Sequence, residues 1–180
     1  MSVNEFVAEL ATRAGSPQSV RYDWDAVNSH LGVVIPEDFR KLLDKGCGGV
    51  WYGHIAVSRP GDPIADRDLL EARDQFEDLK YFWDRGEPPP VVPMPQNVVL
   101  IAWASGGAGE GLYWWVDLDD LASEYPVMVG TEDGHAWERY DMGAAEFLLR
   151  LGDRSIASDI LVPEALDLEG QVFTAYVEPV

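Results

Sequence analysis

Residues 31–53, LGVVIPEDFRKLLDKGCGGVWYG, constrain the fold more than any other stretch of the chain. Pro36 suits a first helical turn, because the donor it lacks would have no partner there in any case. Glu37 and Asp38 complement the positive helix end. Phe39, Leu42 and Leu43 supply one apolar face, while Arg40, Lys41 and Lys45 stay in water. The helix stops at Gly46. Gly48 and Gly49 then let the backbone turn sharply, and residues 50–57 alternate as a strand with Trp51, Gly53, Ile55 and Val57 on one side. A helix is thus joined to a sheet with almost no spare chain, so the two must pack on each other.

Upstream, Ser2 followed by Glu5 forms a capping box ahead of Val3, Phe6, Val7 and Leu10 at helical spacing, with a stop near Gly15. Asp23 caps a second, short helix carrying Trp24, Val27 and Leu31, closed by Gly32. Downstream of the hinge, 59–64 reads as a surface loop. The pattern over 66–84 is helical, with Leu69, Ala72, Phe76, Leu79 and Trp83 on one face. Proline density makes 87–95 a stiff extended connection.

Residues 97–104 are nearly all apolar and too few for a helix, which predicts a central strand covered on both faces. The glycine-rich 105–111 turns the chain into a return strand over 112–116. Further strands follow at 126–130 and 136–140 around the polar turn 131–135. Asp141 is placed to cap a last helix in which Ala144, Phe147, Leu148 and Leu151 share a face before Gly152. The tail from 153 holds a weak helical segment and the alternating QVFTAYV, an edge strand. No repeat and no domain boundary appears. The expected architecture is α+β, a single domain over 1–180 in which a mostly antiparallel mixed sheet packs with N-terminal helices and a C-terminal closing helix.

A chain of 180 residues buries roughly 70% of the surface its unfolded form exposes, and 47% hydrophobic residues suffice for a core without metal or disulfide staples. Cys47 is the only cysteine, which excludes an internal disulfide framework. The first residues lack a signal-peptide pattern, and no apolar run approaches the roughly 18 residues of a membrane span, so the expectation is a cytoplasmic protein. Net charge is −19. Up to Arg85 there are 15 acids and 10 bases, net −5; beyond it there are 17 acids and 3 bases, net −14. The acidity belongs to the second half. A field of that sign repels nucleic acid and anionic membranes and steers basic proteins into encounter.

Candidate chemistry is sparse. Cys47 with His54 seven residues on could pair as nucleophile and base, but nothing nearby supplies an orienting third group, and a lone cysteine more commonly fills space in a core. His30, His54 and His135 form no metal-ligand spacing. Asp117, Asp119 and Asp120 begin like a calcium loop but meet Leu121, Ala122 and Met128 where a ligand, a glycine and a glutamate are required. Gly106, Gly107, Gly109 and Gly111 lack the lysine and hydroxyl of a phosphate loop and lead into a strand rather than a helix. Carboxylates abound, so a hydrolase built on an acid pair remains one reading. No cofactor and no metal is implied.

What stands out is an acidic stretch with aromatic contacts. Residues 110–141 carry nine acids and one arginine, interleaved with Tyr113, Trp114, Trp115, Tyr125, Trp137 and Tyr140. Alternation along strands buries some of these rings and exposes others beside carboxylates, the mixture that makes interfaces strong and selective. The candidate partner-binding residues are Glu110, Trp115, Asp117, Asp119, Asp120, Glu124, Glu132 and Asp133.

Leu31, Gly32, Ile35, Pro36, Asp38, Phe39, Leu42, Leu43, Gly48 and Gly49 together resemble the pattern of the SUKH superfamily, the Smi/Knr-type domain. That pattern is a short helix ending in Leu-Gly, an apolar-Pro-acid-aromatic helix start, and a glycine pair. VVLIAWASGGAGEGLYWWVD is similar to the family's core strand, turn and return strand, and 141–151 to its closing helix. The resemblance covers about 24–151 and leaves a long insert, 59–95, and an extension, 152–180, outside the pattern. It implies an α+β binding module without an active site: an immunity protein that neutralises a cognate bacterial toxin, often a nuclease or deaminase. The fungal relatives imply the alternative of a regulatory or scaffolding module. Pro36, Phe39, Gly48, Gly49 and Trp51 are fold determinants on this reading. The implied partner is a basic toxin domain rather than nucleic acid or membrane.

Overall fold

In the computed structural model, which describes residues 1–83, 95–120, 124–161 and 165–176, the first helix α1 (Val3–Arg13) opens where the sequence places it. The Glu5 carboxylate accepts the Ser2 backbone N–H at 2.6 Å, and Val7 and Leu10 form the buried stripe. The second helix, α2 (Trp24–Leu31), starts with the Asp23 side chain accepting the Ala26 N–H at 3.1 Å and ends at Gly32 with φ 69°. Both ends are local devices, a side-chain acceptor for an orphan donor and a left-handed glycine stop.

In α3 (Glu37–Asp44), Pro36 sits one position before the first helical residue, and Phe39, Leu42 and Leu43 are fully buried. Asp38 is also buried, 2% exposed, instead of lying in solvent at the helix start. The single strand expected over 50–57 is two strands, β1 (Gly49–Trp51) and β2 (Ile55–Val57), paired antiparallel with Trp51 opposite Ile55. Tyr52 and Gly53, at φ 52° and 66°, reverse the chain between them. The strain at Tyr52 is held by its hydroxyl, which donates to the Leu148 carbonyl at 2.7 Å.

Helix α4 (Ala72–Trp83) begins later than the pattern over 66–84 predicts, after two 3₁₀ turns at Ala65–Arg67 and Leu69–Glu71. Asp68 is the reason: its backbone is extended, and its carboxylate accepts the N–H groups of Gly61 and Leu70. The 87–95 connection, apart from Pro95, and the Trp83 side chain lie outside the described residues.

The remaining strands are β3 (Val98–Gly106), β4 (Gly111–Asp117), β5 (Val127–Gly130) and β6 (Trp137–Tyr140). The closing helix α5 (Ala144–Gly152) and a last strand, β7 (Phe173–Ala175), complete the fold. The sheet order is β6-β5-β4-β3-β2-β1-β7, and every neighbouring pair is antiparallel. β3 is central, as its apolar run requires, and β7 is an edge. No helix forms among the described residues after Gly152. No helix among them is long and apolar enough to cross a membrane.

One face of the sheet carries the main core with α1, α2, α3 and α5. A register shift between Ala102 and Ala104 leaves Trp103 as an extra residue in β3. Trp103 stacks on Trp114 at 6.1 Å, with Phe39 edge-on to Trp114 at 4.8 Å and Phe147 edge-on to Trp103 at 6.3 Å. These fully buried rings tie α3 and α5 to the two middle strands. On the other face α4 sets Phe76 against Leu100 and Met128.

The expected cap of α5, Asp141, is not the one used. The helix follows Gly143, and its Ala145 N–H donates to Asp38 Oδ2 at 2.9 Å, across 107 residues of chain. Asp38 Oδ1 accepts the Phe39 N–H at 2.7 Å, so one buried carboxylate serves the N-termini of two helices. A Cβ on Gly143 would stand 2.6 Å from Asp38 Oδ2. Gly49 has a comparable constraint: a Cβ there would lie 2.7 Å from the Phe173 ring, which packs on Trp51 at 5.0 Å.

Candidate functional site

The β4–β6 end of the sheet holds most of the acidic and aromatic candidates. Register places Tyr113 opposite Met128, Met128 opposite Arg139, Gly111 opposite Gly130 and Gly130 opposite Trp137. These residues, with Trp115 and Asp117, therefore share the face away from the main core. The alternate positions Leu112, Trp114 and Val116 are fully buried. The two glycines are required by this arrangement: a Cβ on Gly111 would collide with the Tyr113 ring, and one on Gly130 would stand 2.9 Å from the Trp137 ring. Tyr113 and Trp137 consequently lie flat over the glycine pair, 5.4 Å apart with 39° between planes.

The resulting plate is half-buried. Tyr113, Trp115 and Trp137 each keep part of their surface in solvent, while Met128 beneath them is buried. Burial pushes the Tyr113 phenol up to about 12, so it is a neutral group at physiological pH. The Trp137 indole N–H donates to the Gly134 carbonyl at 2.8 Å. The Arg139 guanidinium lies over the Trp115 ring at 5.3 Å, and its Nε donates to Asp141 Oδ1 at 2.8 Å.

Carboxylates stand at both ends of the plate. Asp119 and Asp120 are exposed just past β4. Asp117 is half-buried and accepts from Asn97 Nδ2 at 2.6 Å and from the Asp119 N–H at 2.9 Å, so part of its capacity shapes the turn. Glu124, exposed, lies on the same β4–β5 connection and borders a 210 Å³ cleft with Tyr125 and Asp141. Partial desolvation, then the like charges of Asp38, Glu146 and Glu37, raise its carboxyl above the ordinary glutamate range. At the opposite end, Glu132 and Asp133 are exposed in the turn before β6. Hydrogen bonds from the Thr131 hydroxyl and the His135 N–H hold the Asp133 carboxyl below its usual range. Asp117, Asp119 and Asp120 thus lie at and just past one end of β4 and Glu132 and Asp133 before β6, whereas Glu124 is set among the acids of α3 and α5.

Glu110 does not belong to that surface. It is 5% exposed, and its Oε1 stands 3.0 Å from His54 Nε2, itself in a residue 8% exposed. Burial alone would raise its pKa. The hydrogen bonds from its own backbone N–H, from His54 and from the Ala108 N–H outweigh burial and hold the carboxyl below the ordinary glutamate value. The pair clamps the glycine-rich tip between β3 and β4 onto the turn between β1 and β2. Gly107 abuts the other ring nitrogen so closely that a Cβ would come within 3.0 Å of His54 Nδ1.

This pairing also removes the cysteine–histidine arrangement weighed from sequence, because His54 engages Glu110. Cys47 is fully buried in the core, and burial pushes its thiol up to about 11. Trp114 and Tyr125 are buried as well, so of the rings read from sequence only Tyr113, Trp115, Trp137 and Tyr140 keep exposed surface. Glu138 is occupied: it accepts from the Ser158 hydroxyl at 2.5 Å and the Asp159 N–H at 2.7 Å, which fastens the segment after α5 to β6. Among the described residues no group of three or more His, Cys, Asp or Glu side chains could hold a metal ion.

Three features escaped sequence reasoning: the Asp38 double cap, the His54–Glu110 pair and the arginine over Trp115. Each joins residues that local patterns cannot connect, except that Arg139 is the sole base in the acidic stretch, which marks it for attention. No protein-family model, no curated protein and no solved structure matches the chain.

Proposed function

We propose that the chain is a non-enzymatic binding protein that captures a basic protein partner, acting as an immunity protein of the SUKH type that neutralises a cognate toxin domain by covering its surface. The observation that carries the reading is the partly exposed plate of Tyr113, Trp115 and Trp137 with exposed carboxylates in the turns that flank it, on a chain of net charge −19. Rings of this kind supply contact area at low entropic cost, and the flanking carboxylates select a basic partner and speed encounter. A basic surface that handles nucleic acid is the natural complement, since the carboxylates stand where phosphates would. Rapid capture matters to such a protein, because the toxin must be bound before it acts.

The test is co-expression of the chain with the toxin domain encoded beside it, scoring cell survival, followed by size-exclusion chromatography of the purified pair. Survival with a stoichiometric complex is expected. Growth arrest despite full expression of both chains, with no complex, would remove the proposal.

A further inference from the structure

A groove of about 530 Å³ lies between α1, α3 and the segment 19–21. Its apolar surface comes from Val7 and Ala8 of α1 and from Val20, which is 42% exposed. The Val20 N–H donates to the Asp44 carbonyl at 3.0 Å. That bond ties the segment to the end of α3 and brings the next residue of each, Arg21 and Lys45, into the lining at the same end of the groove. We propose that this groove binds an amphipathic monoanion: a free alkyl or aryl carboxylate whose apolar body lies on Val7, Ala8 and Val20 and whose head group is held by Arg21 and Lys45. The inference goes beyond the capture of a basic protein and does not depend on it, since the groove belongs to the side of the sheet that carries α1 and α3 and the plate to the other.

Charge singles the groove out. The chain has 32 acids for 13 bases, and its bases readily find carboxylates, as Arg13, Arg150 and Arg154 do. Arg21 and Lys45 are exposed, and among the described residues no ion pair or hydrogen bond engages either side chain. Lys41, on the α3 wall, is by contrast engaged by Glu37 and by Asn4 Oδ1 at 2.7 Å. Asp44, the acid in the lining, accepts the Trp24 indole N–H at 3.0 Å. A carboxylate head thus meets two cations that no side chain among the described residues neutralises.

The size and charge of the ligand follow. The volume falls within the range of small-molecule sites, about 300–1,000 Å³. A net charge of −19 repels anions at long range, and each further carboxylate adds to that repulsion while only two cations stand ready to meet it. One anionic head on an apolar body gains from both features of the groove. A small inorganic anion gains from the cations alone, and an acidic peptide or a second copy of this chain brings surplus negative charge.

The test is titration of the full chain with octanoate, followed by the methyl resonances of Val7, Ala8 and Val20. Octanol serves as the uncharged probe and acetate as the head group alone. Octanoate should saturate with a Kd of about a few millimolar, the strength expected of so small a ligand, and move these methyl resonances. Acetate should not saturate. The double variant Arg21→Gln, Lys45→Gln should bind octanoate about fivefold more weakly and octanol as wild type does, while Val20→Gln should weaken both. All three substitutions are at exposed positions, and thermal unfolding verifies that the variants fold. Failure of octanoate to saturate, an equal loss for octanol and octanoate in the double variant, or movement confined to other methyl groups would overturn the proposal. Shifts of the same methyl groups on raising the protein concentration alone would assign the groove to a second copy. Saturation by hexaglutamate without binding of octanoate would assign it to an acidic segment, and either result would overturn the proposal.

Discussion

Replacing Asp38 by alanine should destabilise the protein by about 4 kcal/mol. The carboxylate is 2% exposed and accepts two backbone N–H groups, Phe39 at 2.7 Å and Ala145 at 2.9 Å. Alanine leaves both donors buried without a partner, at about 1–3 kcal/mol each. In a chain of this size each kcal/mol lowers Tm by about 2–4 °C, so a fall of roughly 8–16 °C is expected in thermal unfolding followed by tryptophan fluorescence. Asp38→Asn keeps one acceptor oxygen and should lose about half as much.

The pH dependence of the Asp38 contribution has a defined sign. Burial, offset in part by the N–H groups of Ala145 and Phe39, raises the Asp38 pKa above the ordinary aspartate value. The folded protein therefore binds this proton more tightly than the unfolded chain. The associated stability is complete below the ordinary aspartate pKa and is lost as pH rises through the raised folded value. The advantage of the wild type over Asp38→Asn should shrink across that window. An Asp38→Ala variant within about 1 kcal/mol of wild type at neutral pH would refute the double-cap account, and a gap that widens with pH would refute the sign.

Cys47, with its thiol pushed up to about 11, should react with a disulfide reagent at pH 8 only after denaturation; fast labelling of native protein would contradict its burial. Glu110→Gln should cost about 1.5–3 kcal/mol, because it weakens the charge-assisted pairing with His54. Since the Glu110 pKa is lowered, its contribution is present above the ordinary glutamate value and is lost as pH falls through the folded one. Wild type should therefore lose stability in acid more steeply than the variant, and identical acid profiles would count against the pairing. Gly49→Ala should push Phe173 and Thr174 away from β1, releasing β7 and bringing protease cleavage after residue 152; an unaltered digestion pattern would contradict the close approach.

Elements whose causes are local were legible in the sequence. Asp23 and Gly32 bound α2 because a side-chain acceptor and a left-handed glycine act within one turn of the chain. The central position of β3 follows from an apolar run that must be covered on both faces. The alternation along strands foretold that some of the rings are buried and others keep solvent exposure, and in β4 Trp114 is the former while Tyr113 and Trp115 are the latter.

Long-range causes were not legible. Periodicity over 50–57 is the same for one strand as for a tight hairpin whose two halves bury the same face. The positive φ at Tyr52 and Gly53, the former held by Leu148 from α5, separates the two. Asp141 is a sound local cap for α5, yet Asp38 reaches the helix from 107 residues away. Glu110, beside a glycine run, reads as an exposed acid, and its partner His54 is 56 residues distant. The sequence therefore placed the rings and acids in one stretch without showing which acids the fold exposes. The one member that folding withdraws was hidden because its burial depends on a distant histidine.

The central claim is that the exposed carboxylates at the two ends of the β4–β6 plate steer a basic protein into contact. Its most direct test is stopped-flow association with the cognate toxin domain, across ionic strength, for wild type and for a variant carrying Asp119→Lys, Asp120→Lys, Glu132→Lys and Asp133→Lys. All four positions are exposed, and reversing them changes the net charge from −19 to −11. The variant should associate at least about tenfold more slowly at low salt, with a flatter dependence on ionic strength. An association rate and salt dependence equal to those of wild type would contradict the claim.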